Sequence, residues 1–363
     1  MKRIVSGIQP TGDIHLGNYL GAIKNWSALQ NEGECFFFLA DLHAITLPIE
    51  QQKLKRGVTN MAAMLMACGI GGEESVLFSQ MMVPEHTELQ WLLSCTARMG
   101  WLNRMTQFKD KGGNDAEAAF RAGFHAAETQ EGSEEGVDVS WSEYDQSRPS
   151  VGVGLFAYPI LQAADVLLYD ATHVPVGDDQ DQHLQLVRDI SDSFNHQYGE
   201  TVFTKPQAVM TGPATRVMSL KNGRKKMSKS DDDDAARINL TDDAAVITKK
   251  FRRATTDTLM LPSEIDGLTG RPEVTNLVNI YAAITEQPVA DVLRELGGQG
   301  HGVLKQRLAD ATVAVLEPIN AEYQRLLADE DHLWDTLIKG AVTAQIIAGS
   351  KMETVRKTIF GYQ

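Results

Sequence analysis

Short apolar runs alternate with helix-period stripes over the first half of the chain. Arg3 to Ile8, Cys35 to Asp41 and Ser75 to Ser79 read as strands, with helices between them. This alternation predicts an α/β fold built on a parallel, doubly wound sheet. Such sheets bind ligands at the carboxyl ends of their strands, which is where the loop from Ser6 to Gly17 would lie. Asn18 to Gln30 carries Tyr19, Leu20, Ile23, Trp26 and Ala28 to Leu29 on one helical stripe. Val174-Pro175-Val176 reads as a further strand. Tyr158-Pro159 predicts a helix start, because proline is favoured at the first helical position, and Asp165 then falls inside the apolar run Ile160 to Leu168. From about Asp233 onward the pattern is helical, with stripes such as Leu326, Leu327, Leu333, Trp334, Leu337 and Ile338, so a second, all-helical domain is expected. No internal repeat is visible. Gly112 to Ser150 breaks the rhythm with nine carboxylates against two arginines. That composition predicts an exposed insertion, to which Phe120, Phe124, Trp141 and Tyr144 lend some power to dock.

Composition narrows the class. With 363 residues, 43% hydrophobic and 23% charged, the chain can bury a full core and divide into two domains. No stretch approaches the roughly 20 consecutive apolar residues of a membrane span, so no membrane partner is expected. Met1-Lys2-Arg3-Ile4-Val5 runs straight into a strand without a signal-peptide core, which makes the cytoplasm the expected compartment. Cys35, Cys68 and Cys95 lack metal-finger spacing and sit among apolar residues, as structural thiols do. A net charge of -14 argues against indiscriminate nucleic-acid binding. Two basic runs stand out against it: Lys221, Arg224, Lys225, Lys226 and Lys229, then Lys249, Lys250, Arg252 and Arg253. Each is either a solvated face or the footprint of a polyanion.

Four segments carry chemistry. Pro10-Thr11-Gly12 can form a tight turn, and His15-Leu16-Gly17-Asn18 leads into a helix whose first amides are unpaired, a ready site for a triphosphate. His15 can donate to phosphate oxygens, Gly17 permits close approach of a nucleotide, and Asn18 can cap the helix or bind phosphate. The plainer reading is a capped helix start. Far downstream, Lys226-Met227-Ser228-Lys229-Ser230 lies between Asn222-Gly223 and the acidic run Asp231 to Asp234, in a loop of small polar residues. Lysines on a closing loop can neutralise a pyrophosphate leaving group. Gly177-Asp178-Asp179-Gln180-Asp181-Gln182-His183 should open a helix at the cleft edge, with groups suited to ribose hydroxyls, an ammonium or a metal ion. Asp165, finally, must find a donor, because burying a bare carboxylate is costly. A ligand N–H would serve, as would an internal arginine or backbone amide.

Taken together these strings resemble those of bacterial tryptophanyl-tRNA synthetases, which are class I aminoacyl-tRNA synthetases. Ser6 to Gly12, His15 to Ala22, Asp41 to Thr46, Met105 to Lys111, Ala163-Ala164-Asp165, Val174 to Gly177 and the lysine loop all match. The resemblance implies a Rossmann catalytic domain over residues 1–215 carrying the acidic insertion 112–150, and a lysine loop over 216–231. A helical anticodon-binding domain over 232–320 and C-terminal helices, 321–363, packing back on the body would follow. It further implies a homodimer, Mg-ATP as substrate with Mg2+ brought by the nucleotide, and tryptophan and tRNA(Trp) as partners. By matching motif positions, Asp165 would accept the indole N–H, with Val5, Gly7, His43, Val174 and Val176 shaping the pocket. Tyr158, Gln180 and Gln9 would hold the amino-acid head group. Gly17, Asn18, Gly177, Asp179, Val217, Met227 and Ser228 would line the nucleotide site, and Lys111, Lys226 and Lys229 would meet the phosphates, with His15. Two departures stand out. Gln162 replaces the family's usual methionine, one turn before Asp165, where it bonds the carboxylate, tunes the pocket or points away; and the insertion replaces a shorter loop. Competing readings are the tyrosine-specific sister enzyme, a paralogue turned RNA-binding or regulatory protein, and a tRNA-independent nucleotidyltransferase.

Overall fold

Cys35, Phe36, Phe37, Phe38 and Leu39 are all buried, so the strand they form must be covered on both faces, as a central parallel strand is. The computed structural model describes residues 2–102, 105, 152–175, 181–209, 216–229 and 231–361. The acidic segment 112–150, Lys111 and Val176 to Gln180 lie outside the described residues. Among the described residues five strands, β1 (Arg3–Ile8), β2 (Glu34–Leu39), β3 (Val76–Ser79), β4 (His173–Pro175) and β5 (Gln207–Val209), form one parallel sheet in the order β3-β2-β1-β4-β5. Successive side chains alternate between two cores. Cys35, Phe37 and Leu39 join Ile4 and Leu77 on one side, while Phe36 and Phe38 join Val5 and Phe78 on the other. The strand order reverses at β1, which pairs with both β2 and β4, so a crevice opens at its carboxyl end.

Several local expectations are corrected. Asp41 does not end β2; it starts the short helix Asp41–Ala44, because its carboxylate accepts from Leu42 N–H at 2.9 Å, Met81 N–H at 3.0 Å and the Ser79 hydroxyl. That carboxylate ties the carboxyl ends of β2 and β3 together. Pro159 is not at a helix start but inside the helix Val153–Leu167. The helix begins earlier because Val153, Leu155 and Phe156 continue the apolar run, and the missing proline N–H is the cost it carries. The first helical stretch contains a π turn, Tyr19–Ile23, between Leu16–Asn18 and Lys24–Leu29. Within it Leu20, Ile23, Trp26 and Leu29 are buried, but Ala28 is exposed. Cys95 is exposed, whereas Cys35 is buried.

Beyond Asp233 come helices Ala244–Arg253, Pro272–Thr285, Val289–Leu296, His301–Leu327 and Glu330–Phe360. The stripe from Leu326 to Ile338 is split between the last two at Asp329, whose side chain accepts from His332 N–H, and Ile338 is exposed. Helix Glu330–Phe360 lies along β3: Ala341, Ala344, Ala348, Met352 and Val355 enter the second core. Its approach is so close that a Cβ at Gly340 would overlap the Leu77 carbonyl. This covers the edge strand that would otherwise offer unpaired amides. Among the described residues no helix is long and apolar enough to cross a membrane.

Candidate active site

The early turn and the late lysine segment meet. Lys229 Nζ donates to the Thr11 carbonyl at 2.8 Å and the Gly12 carbonyl at 3.4 Å, although Thr11 is 218 residues away along the chain. Gly12 has φ +65, a conformation glycine adopts without strain, and a Cβ there would crowd the Lys229 stem at 3.3 Å. The same two regions are stitched together behind the turn: Leu16 N–H donates to Ile238 at 2.8 Å, and Leu240 N–H to Ile14 at 2.9 Å. Lys226 is exposed, whereas Met227 is buried in the core and its N–H donates to Val217 at 3.1 Å, so the loop is pinned at its centre.

His15 and Asn18 form a reciprocal cap. His15 Nδ1 accepts from Asn18 N–H at 3.3 Å, and Asn18 Oδ1 accepts from His15 N–H at 3.2 Å. A neutral imidazole whose Nδ1 accepts carries its proton on Nε2, which leaves a donor for an oxyanion. Burial, then the charges of Lys229, Arg237 and Lys226, push the His15 pKa down to about 4, so it is neutral in ordinary buffers. A Cβ at Gly17 would come within 3.0 Å of the His15 ring, so glycine there keeps the ring in place. Lys229 is lowered to about 8 by burial, opposed by the facing Asp13. The site therefore holds one neutral donor and two lysines around a turn.

Asp165 is 1% exposed and carries three hydrogen bonds. His43 Nε2 donates to Oδ2 at 2.8 Å; His86 Nδ1 and Gln80 Nε2 donate to Oδ1, both at 2.6 Å. Burial raises the pKa of this carboxyl, but the facing His43 and the hydrogen bonds of both histidines outweigh it and leave it at about 2. The internal partners are thus histidines and an amide side chain rather than an arginine or backbone amide. Gln162 is half-buried and is not among them. A carboxylate offers about four acceptor sites, so Oδ2, with one donor, keeps room for a ligand N–H.

Tyr158 stands beside this group, its hydroxyl bonded to His183 Nε2 at 3.0 Å and its ring edge-on to His43 at 6.1 Å; Val5 lies in the second core and the half-buried Val174 packs against that core. Gly7 sits opposite Phe38 in the sheet, and a Cβ on it would overlap the Phe38 ring. Gln9 is half-buried at the end of β1, and Ser228 and Val217 lie on the lysine hairpin. Lys111, Val176, Gly177, Asp179 and Gln180 fall outside the described residues. Sequence reasoning missed Gln80, His86 and Tyr169. The available signal was positional: Gln80 directly follows a parallel strand at its ligand-binding end, and a buried carboxylate needs donors from somewhere.

The basic runs divide. Lys250 is buried and paired with Asp234 and Asp242, both at 2.7 Å, so it is internal rather than a face for a polyanion. Lys225 pairs with Asp231 at 2.9 Å. Arg216 and Arg224 remain exposed, and with Asn279 and Arg271 they line a groove of ≈ 400 Å³ between the hairpin and the helix Pro272–Thr285. Arg271 is itself held by Asp257 at 2.7 Å.

Comparison with known proteins finds relatives along the whole chain. The model of a family described as tRNA synthetases class I (W and Y) matches residues 1–317. A tryptophan–tRNA ligase of Agrobacterium fabrum is 44% identical over 375 residues, covering 98% of this chain and 97% of its own. The crystal structure of tryptophanyl-tRNA synthetase from Mycoplasma pneumoniae superposes with a TM-score of 0.80 at 32% identity, over 100% of this chain and 98% of that one. A Campylobacter jejuni tryptophanyl-tRNA synthetase, complexed with ADP and tryptophan, gives 0.75 at 31% identity over 98% and 99% of the two chains.

Proposed function

The chain belongs to the class I tRNA synthetases of the tryptophan and tyrosine branch, and from that membership we infer that it is a tryptophan–tRNA ligase working through the residues described above. The observation that carries this reading is Lys229 lying on the Thr11–Gly12 turn with His15 close by, together with a buried, ionised Asp165. In the first step a carboxylate oxygen of tryptophan attacks the α-phosphorus of Mg-ATP. The bond to the bridging oxygen breaks, and pyrophosphate departs with the electron pair. In the second step the 2'-hydroxyl of the terminal adenosine of tRNA(Trp) attacks the adenylate carbonyl, and AMP leaves. No protein nucleophile takes part; orientation and charge stabilisation supply the rate. His15 Nε2–H and the lysines Lys226, Lys229 and Lys111 meet the growing negative charge. Gly17, Asn18, Gly177, Asp179, Val217, Met227 and Ser228 bound the nucleotide. Asp165 receives the indole N–H between Val5, Gly7, His43, Val174 and Val176, with Tyr158, Gln9 and Gln180 on the head group. Aminoacylation of total tRNA with each standard amino acid in turn tests this: tryptophan alone should charge, and charging with tyrosine would sink the reading.

The helical part, 232–320, is read as anticodon-binding, and the groove lined by Arg216 and Arg224 as a contact for the tRNA backbone. Free guanidinium groups favour phosphate oxygens. Arg216→Ala with Arg224→Ala is expected to raise KM for tRNA about three- to tenfold and to flatten its salt dependence, with pyrophosphate exchange within about twofold of wild type. Unchanged tRNA kinetics at every salt concentration would remove the groove from the tRNA path. Met81, Trp91, Met99 and Val153 are exposed apolar residues, Trp91 at 69%, and they support a second copy of the chain as partner. A need for ATP and tRNA supports the cytoplasm as the working compartment.

A further inference from the structure

Around Asp165 the hydrogen bonds are unequally shared. Oδ1 takes two donors, from His86 Nδ1 and Gln80 Nε2, while Oδ2 takes one, from His43. His86 is fully buried and reaches on its other side to the Tyr169 hydroxyl, Nε2 to O 2.7 Å. Only one arrangement gives every proton an acceptor. Because the carboxylate accepts, Nδ1 carries a hydrogen; Nε2 of the neutral ring then accepts, and Tyr169 O–H donates to it. A doubly protonated ring would leave the Tyr169 proton without an acceptor in a site closed to water. Burial and the facing Asp165 and Glu85 carboxylates hold Tyr169 well above its ordinary pKa, which keeps that proton on the oxygen.

Packing holds the rings that carry this chain of bonds. The His86 ring lies 5.8 Å from Phe38, 6.1 Å from Phe78 and 5.5 Å from Tyr169, and Phe36 stacks on Tyr169 at 5.2 Å. Gln80 points to the same conclusion from another side. Its Nε2 is directed at Oδ1 while its own Oε1 is buried with no partner among the described residues, a loss tolerated where the donated bond matters.

We propose that Tyr169, His86 and Gln80 are positioning residues for substrate selection: they saturate Oδ1 and fix the carboxylate plane, so that Oδ2 alone is presented to the ring N–H of the amino acid. The inference rests on the reading of Asp165 as indole acceptor. It adds that selectivity for an N–H-bearing ring is set one bond behind Asp165, by Gln80 at β3's carboxyl end and His86 on the helix that follows, and two bonds behind it, by Tyr169 just past the helix Val153–Leu167.

The test is pyrophosphate exchange with tryptophan and with its benzothiophene analogue, in which sulfur replaces the ring N–H. The readout is the ratio of the two kcat/KM values. His86→Leu removes the donor and is expected to lower this ratio about tenfold or more, mainly through KM for tryptophan. His86→Asn, whose carboxamide N–H can stand where Nδ1–H stood, should keep the ratio within about threefold of wild type. Tyr169→Phe should lower it by a smaller factor, about three- to fivefold. Equal losses on both substrates, or equal ratios for His86→Leu and His86→Asn, would mean that His86 only fills space and would overturn the proposal. Should His86→Leu fail to fold, an unchanged ratio in Tyr169→Phe overturns it alone. Asp165→Ala separates the two levels. If it leaves the ratio intact, the indole-acceptor reading fails; if it collapses the ratio while the His86 and Tyr169 variants do not, only the positioning inference falls.

Discussion

Asp165→Ala is expected to lower kcat/KM for tryptophan in pyrophosphate exchange on the order of 10³-fold, while KM for ATP moves less than about threefold. The size follows from what the variant leaves behind. A site built to bond a substrate N–H discriminates steeply because its buried polar groups lose their partners when the match is broken. Here the alanine would strand three donors, on His43, His86 and Gln80, in a region where Asp165 itself is 1% exposed. The pH dependence has a definite sign. With its pKa at about 2, the folded carboxyl sits below its ordinary value, so the stability it contributes is present above the unfolded value and is lost as pH falls through about 2. Across the neutral range the acceptor is fully charged, and kcat/KM for tryptophan carries no limb from it. Circular dichroism of the variant must show a folded protein for the kinetics to count. Near-normal tryptophan-dependent exchange in such a protein would remove Asp165 from the indole site.

Much of this site was legible because its chemistry is local. Pro10 to Asn18 and Lys226 to Ser230 each announce phosphate handling from a few consecutive residues, and β1, β2 and β3 show as apolar runs. What escaped was distributed. β5 spans only Gln207–Val209, with two of three residues exposed, so no apolar period marks it. Pro159 reads as a helix start because proline is favoured at the first helical position, whereas the helix already begins at Val153. His86 carries no motif of its own; its role comes from β3 delivering Gln80 and the following helix to the face where Asp165 projects. The second basic run misled for a related reason. Charge is visible in sequence, but Lys250 is turned inward by carboxylates eight and sixteen positions away.

Lys229→Ala is expected to reduce kcat for adenylate formation about 10²- to 10³-fold, with a much smaller change in KM for ATP. The ground state explains the split. Lys229 Nζ is already satisfied by the Thr11 and Gly12 carbonyls, so taking up a triphosphate exchanges one set of bonds for another and yields little net binding. As the α–β bond breaks, charge accumulates on the departing pyrophosphate, and only then does the ammonium interact more strongly than with the carbonyls. A titration follows from the same burial. Lys229 has a pKa of about 8 in the free protein, so its charge is lost as pH rises through that value, and kcat/KM for ATP should fall above about pH 8. Lys229→Arg keeps the charge at every accessible pH and should carry the rate without that alkaline limb, at lower absolute activity because a planar fork does not fit where a point charge did. Identical pH profiles for wild type and the arginine variant would assign the limb to another group. A loss below about tenfold in the alanine variant would take Lys229 out of the transition state, and with it the closing contact between the two ends of the catalytic crevice.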